Sequence, residues 1–228
     1  IEQCRALNLA GDYEQVLALM TGRQFVPCEG GEHAVAEQYM FAHHALGRKA
    51  MQAGNLQTAL THFQAAQQLP ENLGAGLWNE VLLVPHQYFE AVCRQRLGDE
   101  AEAQLLFAHI LLLKVDYFSN MHLPEFPCWQ ALVLMQTGRE PQAQELLAAH
   151  MRQQEQAAVA RDAGYYKTTP FFISYMEPAE KLRRASCDWQ KAMACWASGD
   201  VENAAALAKA ALAGEPANLY ATLLAEKL

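Results

Sequence analysis

The chain has 228 residues, with 17 Lys and Arg against 25 Asp and Glu for a net charge of −8, so no broad basic footprint is available for a nucleic-acid backbone. Alanine and leucine supply 70 of the 228 residues while isoleucine and valine number only 13, which favours helix and excludes an extensive β-sheet. The most apolar uncharged stretch, 103–113, has 11 residues and includes Gln104 and His109, short of the roughly 20 needed for a membrane-spanning helix.

Hydrophobic spacing and turn residues predict helices over 1–10, 13–21, 34–53, 56–68, 77–97, 99–113, 126–137, 140–163, 178–198, 201–213 and 217–227. Loops fall at Pro27 with Gly30 and Gly31, at 70–76, at 118–127 and at 164–178. The last carries Tyr165, Tyr166, Phe171, Phe172, Tyr175 and Met176, too apolar a set for a solvated linker, and is expected to pack back on the helices. Position 1 is Ile with no signal-like segment before it, the pattern expected of a piece excised from a longer chain. Six scattered cysteines without a C-x-x-C pair read as small apolar residues in a reducing compartment, hence the cytoplasm.

One pattern recurs along the chain: a Gly, a polar residue, then Ala five positions after the Gly and an apolar residue four further on. It occurs at Gly54, Ala59 and Phe63, at Gly98, Ala103 and Phe107, at Gly138, Ala143 and Leu147, and at Gly199, Ala204 and Ala208, with a weaker copy at Gly11, Val16 and Met20. Gly ends one helix where φ must be positive, and the Asn or Asp that follows it in four of the five copies is placed to cap the next. The Ala keeps that second helix slim where it crosses the first, and the larger residue one turn on fills the widening gap.

These residues resemble the tetratricopeptide repeat, a helix-turn-helix unit stacked into a right-handed superhelix. The resemblance implies an all-α solenoid of αα-hairpins, and residues 1–228 read as a single repeat domain because each unit must stack to bury its faces. The intervals between turn glycines, 43, 44, 40 and 61 residues from Gly11 onward, depart from the regular 34 and imply longer helices or loops. The segments Pro27-Cys28-Glu29-Gly30-Gly31-Glu32, Leu69-Pro70-Glu71-Asn72-Leu73-Gly74, Lys114-Val115-Asp116-Tyr117-Phe118 and Tyr166-Lys167-Thr168-Thr169-Pro170 are also similar to the C-terminal repeat region of large bacterial proteins. Those proteins carry an upstream β-sandwich similar to galactose mutarotase, and most are uncharacterised. That likeness implies a carbohydrate context reached through the upstream domain, not a reaction.

Catalytic motifs are absent: neither H-E-x-x-H, G-x-S-x-G nor a phosphate loop occurs, and no residue is singled out as catalytic, metal-binding or cofactor-binding. Adjacent His43 and His44 point about 100° apart on a helix, a poor arrangement for one metal. Transferring the repeat's groove positions gives a concave binding face of Phe41, His44, Arg48, Tyr88, Gln95, Arg96, Met135, Trp189 and Trp196, with Cys128, Leu132 and Met193 between them. Aromatic and Arg side chains anchor binding surfaces, although Trp189, Met193 and Trp196 at helical spacing equally fit a core. Glu29, Gly30 and Gly31 form a second candidate, a loop able to touch a ligand. The leading expectation is a scaffolding module that grips its own upstream domain or a partner protein, without nucleic acid or membrane. An accessory part of a carbohydrate-active site and a self-associating module are the alternatives.

Overall fold

The computed structural model describes residues 1–26, 33–74, 76–77, 79–115, 122–160 and 179–226. The described residues form eleven α-helices and no strand. They are α1 (Glu2–Ala10), α2 (Tyr13–Thr21), α3 (Ala34–Gln52), α4 (Leu56–Ala66), α5 (Val84–Leu97), α6 (Glu100–Leu112), α7 (Phe126–Gln136), α8 (Glu140–Val159), α9 (Ala179–Ala197), α10 (Val201–Gly214) and α11 (Leu219–Ala225). Two short 3-10 turns, Glu71–Leu73 and Glu80–Leu83, lie between α4 and α5. The helix expected from 77 therefore starts at Val84. Asn79 caps the preceding 3-10 turn by accepting from the Val81 N–H at 3.0 Å, and Pro85, which has no N–H to give, sits in α5's first turn, where none is needed.

All five predicted turn glycines take the left-handed conformation, Gly11, Gly54, Gly98, Gly138 and Gly199 having φ between 73° and 90°. Each turn closes the same way: the residue after the glycine donates its N–H to the carbonyl five positions upstream, as Asp99 does to Arg94 and Asp200 to Cys195 at 2.9 Å. The Ala positions 59, 103, 143 and 204 are fully buried, and so are Val16, Phe63 and Phe107. Capping differs from the expectation. Only Asp200, among the four Asn or Asp residues after the turn glycines, accepts a backbone N–H in its helix, from Asn203 at 3.3 Å. Asp99 instead pairs with Arg94 at 2.8 Å, because the tight turn brings that guanidinium within reach of the carboxylate.

Five helical hairpins result, each helix packing on the next in sequence, and α11 follows as an unpaired helix. That last helix packs on α10 and also reaches back to α1 and α3. Leu219 and Leu223 belong to the apolar cluster of α1, α2 and α3, while Leu224 belongs to the larger cluster that runs from α4 to α10. Two cores are thus stitched together by seven C-terminal residues. The described cysteines are free, with Cys4, Cys93, Cys128 and Cys187 buried. No helix among the described residues is long and apolar enough to cross a membrane.

Candidate functional site

The predicted groove residues separate into two groups. His44, Arg48, Trp189, Met193 and Trp196 do converge, but on a slot of about 20 Å³ closed by Trp129, Tyr220, Leu223 and Leu224. That is room for about one water molecule, so this part of the face is packed core. α11 fills it; the segment expected to pack back on the helices, 164–178, lies outside the described residues. Phe41 is 1% exposed and meets Tyr13 and Tyr220 edge-on, with centroids 5.9 and 5.2 Å apart. Cys128, Leu132 and Tyr88 are buried as well; the Tyr88 hydroxyl accepts from Gln136 at 3.4 Å. Met135 is half-buried. Gln95 donates to Glu100 at 3.3 Å, and Arg96 stands exposed at the end of α5. Glu29, Gly30 and Gly31 lie outside the described residues.

Arg48 keeps a sliver of solvent contact, yet protein surrounds nearly all of it. Its guanidinium lies 4.5 Å from the centroid of the Phe89 ring and 5.3 Å from that of Trp196, and among the described residues no carboxylate pairs with it. Desolvation brings its pKa down to about 10, partly countered by the Tyr88 hydroxyl. Cation–π contact with two desolvated rings stands in for the missing anion. Beside it, His44 and His86 face each other through their Nδ1 atoms at 3.3 Å, both fully enclosed. Burial holds His44 well below its ordinary value and His86 at about 3, so both are neutral. The Nε2 of His86 has no partner; a tautomer with Nδ1–H on His86 donating to His44 avoids burying an unpaired N–H.

Open space lies elsewhere. A cavity of about 500 Å³ sits where the first helices of successive hairpins begin. Its described wall is built from the start of α3 (His33, Glu37, Met40), the approaches to α5 and α7 (Leu82, Glu125), the middle of α9 (Ser186, Trp189) and the start of α11 (Asn218, Tyr220). Three carboxylates, Glu37, Glu125 and Glu215, line it, and no Lys or Arg does among the described residues. His33 and His122 meet across one side with ring centroids 5.6 Å apart.

The electrostatics follow from this placement. Glu125 is 6% exposed, and burial pushes its carboxyl up to about 7 against the opposing pull of its own backbone N–H and the Trp189 indole N–H. Glu37 is open to solvent on one side while protein surrounds the rest. Burial raises its carboxyl, Arg5 pulls it down and Glu215 adds to the rise; contact with solvent limits how far that rise goes. Tyr220 is raised by burial and then by the fields of both Glu37 and Glu125. All three groups line the same cavity.

Sequence reasoning missed this site. Glu125 offered a signal, as the single charge within the Pro-flanked apolar run Leu123-Pro124-Glu125-Phe126-Pro127. Glu37 offered none, since an acid in a helix's first turn is ordinary. Among the described residues no group of three His, Cys, Asp or Glu could hold a metal ion. No protein-family model matches the chain, and no solved structure matches it.

Proposed function

We propose that this chain is a protein-interaction module of the tetratricopeptide type, in which stacked hairpins build a binding site where their first helices begin. Its partner is either the region that precedes it in a longer protein or a separate protein, and its role is binding rather than turnover. The observation that carries the reading is the composition of the cavity wall: α3, α9, α11 and the approaches to α5 and α7 each supply part of it. No single hairpin could form such a site, and stacking creates it. The five turns of identical geometry support the repeat assignment. Arg48 lies against Phe89 and Trp196 and keeps part of its solvent exposure.

The test is affinity capture with the 228-residue chain as bait, against its preceding region and against lysate, followed by mass spectrometry. A parallel bait carries Ser186→Trp, which fills the cavity from α9. The expected result is a binder retained by the wild-type chain and lost by the filled variant. The same proteins on both baits, or none on either, would overturn the reading.

A further inference from the structure

We propose that the cavity binds a primary ammonium group on a short apolar stem, held between the carboxylates of Glu37 and Glu125. This rests on the cavity being the working surface of the module. The described wall is acidic without compensation, with three carboxylates and no Lys or Arg. The cation in electrostatic reach of Glu37 is Arg5, and its guanidinium already pairs with Glu2 at 3.1 Å. Glu125 is not consumed as a helix cap: it occupies the N-cap position of α7 but accepts no capping N–H through its side chain. Held by the Trp189 indole and its own backbone N–H, the carboxylate keeps acceptor capacity for a donor in the cavity. An ammonium has three N–H donors to offer and no acceptor.

The remaining wall suits the stem and the charge together. Met40, Leu77, Leu82 and Leu123 supply apolar surface, while Trp189 and Tyr220 supply rings to which a desolvated cation is attracted. A neutral polyol would satisfy the acids by hydrogen bonding but would leave the negative charge of the wall unbalanced. A cation balances it. The titratable groups around Glu125 are Glu37 and His33 from α3, His122 and Cys128 from its own flank, and Glu215 and Tyr220 from the α10–α11 junction. Burial raises the Glu125 carboxyl into the neutral range, so it holds a proton in part of the molecules there, and a bound cation expels it.

The experiment is isothermal titration calorimetry on the 228-residue chain with n-pentylamine, with a peptide carrying a single lysine, and with n-pentanol and glucose as neutral probes. Each titration is run at pH 7 in phosphate and in MOPS, whose ionisation heats differ and neither of which carries a primary amine. The expected result is saturable amine binding whose heat differs between the buffers because a proton is released, with the neutral probes at least tenfold weaker. Binding weakens as pH falls from 8 to 5.5. Amine and peptide both binding assigns the source to a partner's lysine; the amine alone assigns it to a small molecule. Glu125→Gln abolishes proton release and weakens binding about tenfold. Glu37→Gln, at a solvent-exposed position, weakens it too. Absence of saturable amine binding, equal binding of pentanol or glucose, or unchanged affinity in both variants would overturn the proposal. Partner capture without amine binding would leave the module reading standing and remove only this ligand class.

Discussion

Gly47 sets how closely α3 can approach α4. A Cβ at that position would lie 2.7 Å from both Cε1 and Cζ of Phe63, well inside an ordinary contact. The ring has nowhere to go. Phe63 is fully buried, lies nearly parallel to Phe89 with centroids 5.3 Å apart, and meets His44 edge-on at 5.7 Å. Overpacking of this kind costs about 1–3 kcal/mol, while replacing a mid-helix glycine by alanine returns about 1 kcal/mol. Two atoms of a pinned ring are struck at once, which places the cost in the upper part of that range, about 2–3 kcal/mol, so Gly47→Ala is expected to lose about 1–2 kcal/mol net. At about 2–4 °C per kcal/mol for a chain of this size, the melting temperature falls by several degrees. Thermal unfolding followed by circular dichroism reads this directly. Gly22→Ala is the control, since its nearest atom is the Ala18 carbonyl oxygen at an ordinary 3.8 Å. Phe63→Leu should cost less in the Gly47→Ala background than in the wild type, because the smaller side chain relieves the clash. An unchanged or raised melting temperature for Gly47→Ala would mean that the Phe63 ring swings aside freely, and the argument from a pinned aromatic stack would fall.

Arg48→Met keeps the stem and removes the charge, so its stability should stay within about 1 kcal/mol of wild type or rise, as buried ions replaced by apolar residues of similar volume often show. Arg48→Ala, which leaves a void between Phe89 and Trp196, should cost about 2–4 kcal/mol; equal losses for Met and Ala in urea unfolding would show that the charge itself stabilises the fold. The raised carboxyl of Glu125 contributes stability that is fully present below the ordinary carboxylate range and is lost as pH rises through about 7. Glu125→Gln, a permanently neutral mimic, should therefore gain on wild type by on the order of 3 kcal/mol between pH 4.5 and 8, and a difference that does not change with pH would refute the assignment. The enclosed histidines act in the opposite sense: burial holds His44 well below its ordinary value and His86 at about 3, so the stability they contribute is present above about 6.5 and is lost as pH falls below it. In the Glu125→Gln background, where that carboxyl no longer opposes them, the melting temperature should drop between pH 6.5 and 4, and a flat profile there would contradict their burial.

What the sequence made legible was local. The turn glycines, the small residue five positions on and the apolar residue beyond it are determined within a dozen residues, and every turn glycine adopts the left-handed conformation that the pattern demands. Helix ends were legible to within a few residues, except where Asn79 and Pro85 open α5 after a 3-10 turn. What stayed hidden was the packing of Leu219, Tyr220 and Leu223 against α1 and α3. Nothing in the composition of 219–225 sets it apart from any other apolar helix, and the contact spans most of the chain. The same gap accounts for Arg48. A lone guanidinium on a first helix reads as surface, and only the arrival of Trp196 and of α11 from the far end encloses it.

The position of α11 also explains why the candidate site lies at the helix ends and not along the helix faces. The first-helix side chains Phe41, His44, Trp129 and Trp189 are too apolar to face water together over a wide area. Seven residues of α11 cover them, with Tyr220 meeting both Phe41 and His44 edge-on at 5.2 Å. The covering helix is short, so its seal ends where it begins. At that boundary Asn218 caps α11 by accepting the Ala221 N–H at 3.0 Å, and Tyr220 turns from the aromatic core toward Glu37 and Glu125. One residue thus belongs to both the filled groove and the open cavity. A ligand that displaced the Tyr220 ring would disturb its edge-on contacts with Phe41 and His44, which lie at the boundary between the filled slot and the open cavity.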